Sequence, residues 1–457
     1  ALPMLQVFVY CEGATVYVLE CHSPCEPEEI GRWKNRLASI LSHAPQPKIM
    51  VDASVQRLKL HQLGLSLSGT WWDPRVAWWL LNPEMKESSV SVETMCELTG
   101  VSNLSVLVAP FRKQHRSSLH NEGLIQSILC ASLMRCLRKR LELSQLWDVY
   151  SQLEVPISAI LMEMTLVGVP FQASGYCPPS SAVMPTDLSK LDTANQQFKT
   201  MQSCAVAIRV DQDQDQEEKF RIHARFLQTV SATGRVEVIS PELQHLVKQI
   251  RFCSGDMVSP RSCIATGAGR TLMSADYKNL EMSLLGHFSQ DLRLLEALAT
   301  KEGDFFHALS TSWLHIAHPT KDDRQRVKKI IYAMIYGQSL SEMAKQMEVS
   351  QEEAERYRCS FWEHFHQLKQ FLDGVKEKAI NQGFVTTLLG RKRPIVGGGH
   401  SPGKGKRGWT QQHQHQCERI AVNTLCQGSA ADLVKMAMIK LYKGLERISV
   451  HHALSVE

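Results

Sequence analysis

Read from the amino end, the spacing of hydrophobic positions changes several times along the chain. Val7-Phe8-Val9-Tyr10 and Ala14-Thr15-Val16-Tyr17-Val18-Leu19 are short β-branched and aromatic runs parted by Glu12-Gly13, the pattern of a hairpin. An apolar stretch from Trp78 stops at Asn82-Pro83, where a helix closes because a residue before proline is pushed out of helical backbone. Residues 1–110 therefore read as mixed α/β. Over 121–170 the spacing turns helical, with Leu124, Ile128, Leu133 and Leu137 on one side. Arg135, Arg138, Lys139 and Arg140 follow there, as a solvated face or as a nucleic-acid patch.

Residues 175–220 break the pattern. Cys177-Pro178-Pro179-Ser180-Ser181 reads as a linker, and Asp211 to Glu218 is an acidic low-complexity run expected to form a mobile loop. From 270 the periodicity strengthens. Thr271-Leu272-Met273-Ser274-Ala275 predicts a short strand running into Asp276, and helical patterns follow at 278–300, 322–336, 340–348 and 350–382. A glycine-rich loop from Gly397 to Gly408 leads to a last helix over 410–447. The fold class is α+β, with a helix-rich insertion.

Composition narrows the classes. The 457 residues carry 51 Lys and Arg against 46 Asp and Glu, a mild net charge of +5 that permits nucleic-acid binding without demanding it. No uncharged apolar run approaches the ~18 residues of a spanning helix, so no membrane partner is expected. The 13 cysteines are scattered, and Cys21 with Cys25 has no second pair at metal-site spacing, which reads as buried reduced thiols in an intracellular protein. The chain starts at Ala1 without a methionine or a secretory signal, and is expected to be a piece of something longer.

Four constellations carry candidate chemistry. Arg324, Lys328, Tyr332 and Tyr336 recur at intervals of four, which lines them along one stripe of a helix whose apolar residues lie mainly elsewhere. Cations suit phosphate oxygens and rings suit bases, although a snorkelling amphipathic face has the same pattern. Asp276 at a strand end, followed by Glu281, suits Mg²⁺ or a plain turn. Gln228 to Arg235, followed by Pro241-Glu242-Leu243-Gln244, sets polar groups around Gly234. Arg419, Asn423 and Gln427 share one helical face, and their side chains can bond base edges or simply face water. The loop from Arg391-Lys392-Arg393 through Lys404, Lys406 and Arg407 is basic and without acids, fit to track template phosphates. His413 and His415 read as surface polar residues.

In this order the motifs resemble the family A DNA polymerases. Ser274 to Glu281 looks like the family's first palm motif; Arg324-x3-Lys328-x3-Tyr332-x3-Tyr336-Gly337 matches its fingers-helix motif; Leu389 to Pro394 and Glu418 to Asp432 match the downstream blocks. The resemblance implies a right-hand polymerase of palm, fingers and reduced thumb preceded by an exonuclease-like α/β domain. Its divisions would be 1–150 (exonuclease-like), 151–227 (shortened thumb and linker), 228–290 and 386–457 (palm) and 291–385 (fingers).

The resemblance also implies roles. Asp276 would ligate the two Mg²⁺ ions of the complete site. Arg324 and Lys328 would grip the incoming triphosphate, Lys328 also protonating the leaving group. Tyr332 would stack on the nucleotide, with Tyr277 beside it, and Glu281 with Tyr336 would exclude ribonucleotides. Arg235, Gln244, Gly337, Arg391, Arg393, Arg419, Asn423 and Gln427 would hold DNA. Primer–template DNA and deoxynucleoside triphosphates are the implied partners, and DNA repair in the nucleus the implied setting.

Departures temper this. Lys278-Asn279 stand where the family has Ser-Gln, and Ser283 replaces an Arg. The third motif, His-Asp-Glu, is met by His451-His452-Ala453, without either acid, so it is expected to lie beyond the end or to be lost, with two-metal catalysis impaired. The short 175–227 stretch predicts weak DNA grip. Tyr10-Cys11-Glu12 stands where the exonuclease acids belong, which predicts no proofreading. The alternative to an enzyme is a polymerase-like DNA-binding module.

Overall fold

The computed structural model describes residues 5–448 apart from 12–14, 22–26, 44–46, 63, 66–68, 86–89, 102–117, 180, 209–218, 267–269, 300–303 and 396–409. The chain divides into two compact units, one of residues 1–231, 236–274 and 435–457, the other of 232–235 and 275–434. It is mostly helical with small sheets, an α+β protein as the pattern of hydrophobic positions implied.

In the first unit the expected hairpin pairs Leu5–Cys11 antiparallel with Thr15–Cys21. The helix Pro74–Leu81 starts with proline in its first turn, where a missing N–H breaks no bond. Asp73 caps it, accepting from Arg75 N at 2.9 Å and also from Ala53 N at 2.8 Å. It ends at Asn82, before the proline. The long helix Ser118–Leu143 buries Ile128, Leu133 and Leu137 on one side. Its basic residues are exposed but braced within the unit: Arg138 lies 4.8 Å from the Trp147 ring centre and bonds Glu142, and Arg140 donates to the Thr99 carbonyl at 2.7 Å.

A three-stranded antiparallel sheet, in the order Val169–Phe171, Lys219–Ile222, Ala205–Ile208, covers a core that includes Phe171, Ile222 and Phe252. Beside the helix Val155–Val167 lies a buried ion pair. Lys435 Nζ donates to both Glu154 carboxylate oxygens at 2.8 Å, and Gln228 Nε2 donates to Glu154 Oε2 at 3.0 Å. Buried charge persists there because every oxygen has a partner.

The second unit is a stack of helices around Val327, Ile330, Ile331, Phe306, Phe361 and Phe365. Helix boundaries differ from the periodic runs at two breaks. The 278–300 pattern splits into Leu280–Ser289 and Leu292–Ala299, and 350–382 splits into Gln351–His364 and His366–Gln382. Buried Asp291 explains the first break. Its carboxylate accepts from Leu294 N at 3.1 Å and from Leu368 N at 3.0 Å, satisfying first-turn donors of two helices at once. The last helical run contains a wide π turn, Thr424–Gly428, between Gln411–Asn423 and Ser429–Ile448. The strand expected over Thr271–Ala275 is instead exposed irregular backbone. A strand needs a neighbour to complete its hydrogen-bond ladder, and no described strand pairs with this one. The acidic run and the glycine-rich loop lie outside the described residues.

Candidate active site

The helix Lys321–Ile335 opens on a capping box, with Thr320 Oγ1 accepting from Asp323 N at 3.2 Å and Asp323 accepting from Thr320 N at 2.9 Å. Its apolar residues Val327, Ile330, Ile331, Met334 and Ile335 are buried. That fixes the helix rotation and leaves Arg324, Tyr332 and Tyr336 half-buried and Lys328 exposed. The stripe is continuous. Lys328 Nζ lies 5.9 Å from the Tyr332 ring centre, and Tyr332 stacks on Tyr336 with centroids 5.9 Å apart. The Phe306 ring serves both cations, 5.7 Å from Arg324 Cζ and 5.7 Å from Lys328 Nζ. Arg324 Nε donates to Asp304, whose other oxygen caps the helix Phe305–Ser312 by accepting from Phe306 N at 2.9 Å. Burial pushes the Asp304 carboxyl up, but the Arg324 hydrogen bond and the backbone donors outweigh it and hold it below its usual range.

At the far end of the stripe, Tyr336 Oη donates to Glu281 Oε2 at 2.6 Å. Burial, then the Glu281 charge, pushes the Tyr336 phenol well up, so it stays protonated and keeps donating; a hydrogen bond with Gln427 acts the other way. Burial raises Tyr332 as well, with Glu281 adding to it. The same carboxylate adds to the burial that raises the buried Cys426 thiol. Gly337, at φ +62°, turns the chain where Arg419 packs close: a Cβ there would stand 3.3 Å from Arg419 Cγ. Asn423 Oδ1 is buried without a hydrogen-bond partner among the described residues. The site therefore gathers Glu281, Arg324, Lys328, Tyr332, Tyr336, Gly337, Arg419 and Gln427 within one unit.

Residues 188–456, more than half the chain, match the model of DNA polymerase family A. The chain belongs to DNA polymerase family A. A stretch of 233 residues is 33% identical to DNA polymerase theta of Drosophila melanogaster, covering 50% of this chain and 11% of that protein. DNA polymerase I of Caldicellulosiruptor bescii is 32% identical over 248 residues, 52% of this chain and 28% of that one. The alignments thus span small parts of these relatives. The POL domain of Pol1 from M. smegmatis, solved in complex with DNA primer-template and dNTP, matches 97% of this chain and 83% of its own at a TM-score of 0.73 and 22% identity, a likeness of fold.

Two family A residues read from the sequence as DNA contacts are not on the surface. Arg391 and Arg393 are 3% and 8% exposed. Arg391 Nε donates to Asp432 Oδ1 at 3.0 Å, and its Nη2 donates to the carbonyls of Thr233 at 2.6 Å and Gly428 at 3.0 Å. Arg393 Nη1 donates to Thr424 Oγ1 at 2.9 Å. For Arg391 the physical reason is the buried Asp432, which needs a cation and finds it just before the strand Lys392–Pro394, paired with Phe384–Thr386. Gln244 lies in the other unit, where its amide braces the chain at Val236 O and Val238 N. Arg235 and Arg419 are exposed, and Asn423 is half-buried. Lys404, Lys406 and Arg407, the third-motif positions 451–453 and Glu12 lie outside the described residues.

Asp276 and Tyr277 sit on exposed backbone just before the helix that carries Glu281. The Asp276 carboxylate is a suitable oxygen donor for a hard divalent ion. Three other carboxylates of this unit are engaged: Glu281 by Tyr336, Asp304 by Arg324, Asp432 by Arg391 and Thr387. Among the described residues no three His, Cys, Asp or Glu side chains stand together as a metal would need. The donor set therefore fits one position on an ion that takes its other ligands from water and phosphates. Sequence reading missed Asp304, Phe306 and Asp432. An Asp before an apolar helix start is a visible cap signal for Asp304; the pairing of Asp432 with Arg391 across 41 residues left no local trace.

Proposed function

We propose that this chain is the polymerase domain of a template-directed DNA polymerase that adds deoxynucleotides to a primer 3′ end. The observation that carries this is the stripe Arg324–Lys328–Tyr332–Tyr336 ending on the Tyr336–Glu281 hydrogen bond. Two cations offer donors to a triphosphate, and Lys328 is the proton donor to the departing pyrophosphate. Tyr332 offers its ring to the base or sugar, and Tyr277 also binds the nucleotide. Glu281, held by Tyr336, fills the space a 2′-hydroxyl would need. Arg235, Arg419, Asn423 and Gln427 hold the primer–template. A Mg²⁺ ion on Asp276 would supply charge neutralisation for phosphoryl transfer.

On this reading the divisions given from the sequence carry over, with palm at 228–290 and 386–457, fingers at 291–385, a short thumb at 151–227, and an amino-terminal exonuclease-like domain without proofreading. Trp72 to Pro83 and Leu153-Glu154-Val155-Pro156 resemble polymerase theta, and after it polymerase nu, which supports a nuclear role in DNA repair.

Primer extension with Mg²⁺ tests the proposal. Extension by this chain that disappears in Asp276→Ala, while primer–template binding persists, is the expected result. A second reading, a polymerase-like DNA-binding module with impaired catalysis, is favoured by the engagement of Glu281, Asp304 and Asp432, which leaves Asp276 to hold metal without them. Binding without extension, in parent and variant alike, would establish that reading instead.

A further inference from the structure

Arg391 is heavily engaged, and its bonds converge on a loop that carries another cation. Its guanidinium is anchored by Asp432, at 3.0 Å from Nε and 2.9 Å from Nη2, and Asp432 is itself fully buried and bonded by Thr387. The same Nη2 reaches the carbonyls of Gly428 and Thr233. Gly428 belongs to the π turn that also contains Gln427, and Thr233 lies two residues before Arg235.

Two glycines make this approach possible. Gly234 has φ +81°, and a Cβ there would stand 2.7 Å from Arg391 Cζ, so the loop backbone lies directly against the guanidinium. A Cβ on Gly428 would meet Thr387 Cγ2 at 2.8 Å and an Arg391 nitrogen at 3.2 Å. A side chain at Gly234 would displace the cation, and one at Gly428 would displace the Thr387 methyl and press on the cation. The loop 232–235 is packed with the second unit although its flanking residues belong to the first. Arg235, next to Gly234, is exposed.

We propose that Arg391 is a positioning residue for DNA binding: from its buried seat on Asp432 it pins the Thr233–Gly234 backbone to the Gly428 turn and so fixes where Arg235 is presented to the primer–template. The inference rests on the reading of Arg235 as a DNA contact. A planar fork is required, because one guanidinium must serve a carboxylate and two carbonyls in fixed directions, which an ammonium on a flexible stem does not reproduce. Arg391 never touches DNA; it acts through the loop.

A double-mutant cycle on primer–template affinity tests this, using the full chain and fluorescence anisotropy with a labelled primer–template duplex. Arg391→Lys, which keeps the charge, should weaken binding about tenfold in the parent, as should Arg235→Ala, the usual size of one lost DNA contact. The pair together should be no weaker than Arg235→Ala alone, because a misplaced loop matters only while Arg235 is there to be misplaced. Gly234→Ala, which leaves Arg391 and Asp432 intact and crowds the loop off the guanidinium, should show the same non-additivity and keeps the test alive if Arg391→Lys folds poorly. Additive losses, or parent affinity in folded Arg391→Lys and Gly234→Ala, overturn the proposal while leaving Arg235 as a contact. Parent affinity in Arg235→Ala overturns the reading of Arg235 and the proposal with it. A general loss of fold would lower affinity equally in both Arg235 backgrounds, so it cannot imitate the expected result.

Discussion

Two basic stretches of the second unit, Arg324–Lys328 and Arg391–Arg393, look interchangeable as sequence and are opposites as structure. On the helix Lys321–Ile335 the apolar residues are numerous enough to bury one side, so the cations remain at an accessible edge beside aromatic rings. Around the strand pair at 384–394, where Val385 and Ile395 join an apolar cluster, a buried carboxylate draws the guanidinium inward as well. The sign of a charge does not decide whether it meets a ligand. What decides it is whether an opposite charge is waiting inside.

The comparison makes Lys328 and Arg391 fail in different ways. On the proposed role of Lys328 as proton donor and phosphate contact, Lys328→Ala should lower kcat for nucleotide addition by about 10²- to 10⁴-fold, while the thermal midpoint stays at that of the parent. Pre-steady-state incorporation alongside thermal unfolding checks both halves. Equal losses of stability and rate would erase the distinction between the two stretches. Arg391→Leu should do the reverse first. It leaves Asp432 buried without its cation, which costs about 3–5 kcal/mol. Urea unfolding should register that cost as a lower midpoint at unchanged slope. A midpoint equal to that of the parent would mean that Asp432 does not depend on this partner.

A buried carboxylate without a guanidinium bonded to it sharpens the contrast from the other side. Asp73 in the first unit is held by backbone N–H groups, while Arg75 pairs with Asp52, its Nη2 donating to Oδ2 at 3.3 Å. Burial pushes the Asp73 carboxyl up from 3.8 to about 7, against the pull of the Ala53 and Arg75 N–H bonds. The folded state therefore holds this proton more tightly than the unfolded chain. The stabilisation is fully present below about pH 4 and is lost as pH rises through 7. The parent should lose on the order of 2–4 kcal/mol relative to Asp73→Asn between pH 5 and pH 8, since a tenfold difference in proton affinity is worth ~1.4 kcal/mol. Parallel stability curves for the two proteins would contradict this.

The same contrast explains what could be read in advance. Periodicity located the helices of the second unit because burying Val327, Ile330 and Ile331 together demands helical spacing, and that demand is local. The four-residue stripe was legible for the same reason. The break at Gln290-Asp291 was not, because it depends on Leu368, far along the chain, donating to Asp291. Thr271–Ala275 has strand-like residues without a strand, since a ladder is a property of two segments. Arg391 and Arg393 were placed on the wrong side of the surface because Asp432 and Thr424, which hold them, are near only in space.

Within the accessible stretch, the least obvious participant is Asp304, and its effect should be the smallest. One carboxylate oxygen caps the helix Phe305–Ser312 and the other holds Arg324 by Nε, so both oxygens are engaged. Asp304→Asn retains the cap, because asparagine serves as well there, and removes only the charge that orients Arg324. A half-buried surface pair of this kind contributes about 0–1 kcal/mol to stability, so unfolding should hardly move. If the pair holds Arg324 ready for the triphosphate, KM for the nucleotide should rise by about three- to tenfold with kcat unchanged. A fall in KM would mean that Asp304 competes with the nucleotide for Arg324, and the accessible stretch would then, like the buried one, be partly occupied by its own carboxylate.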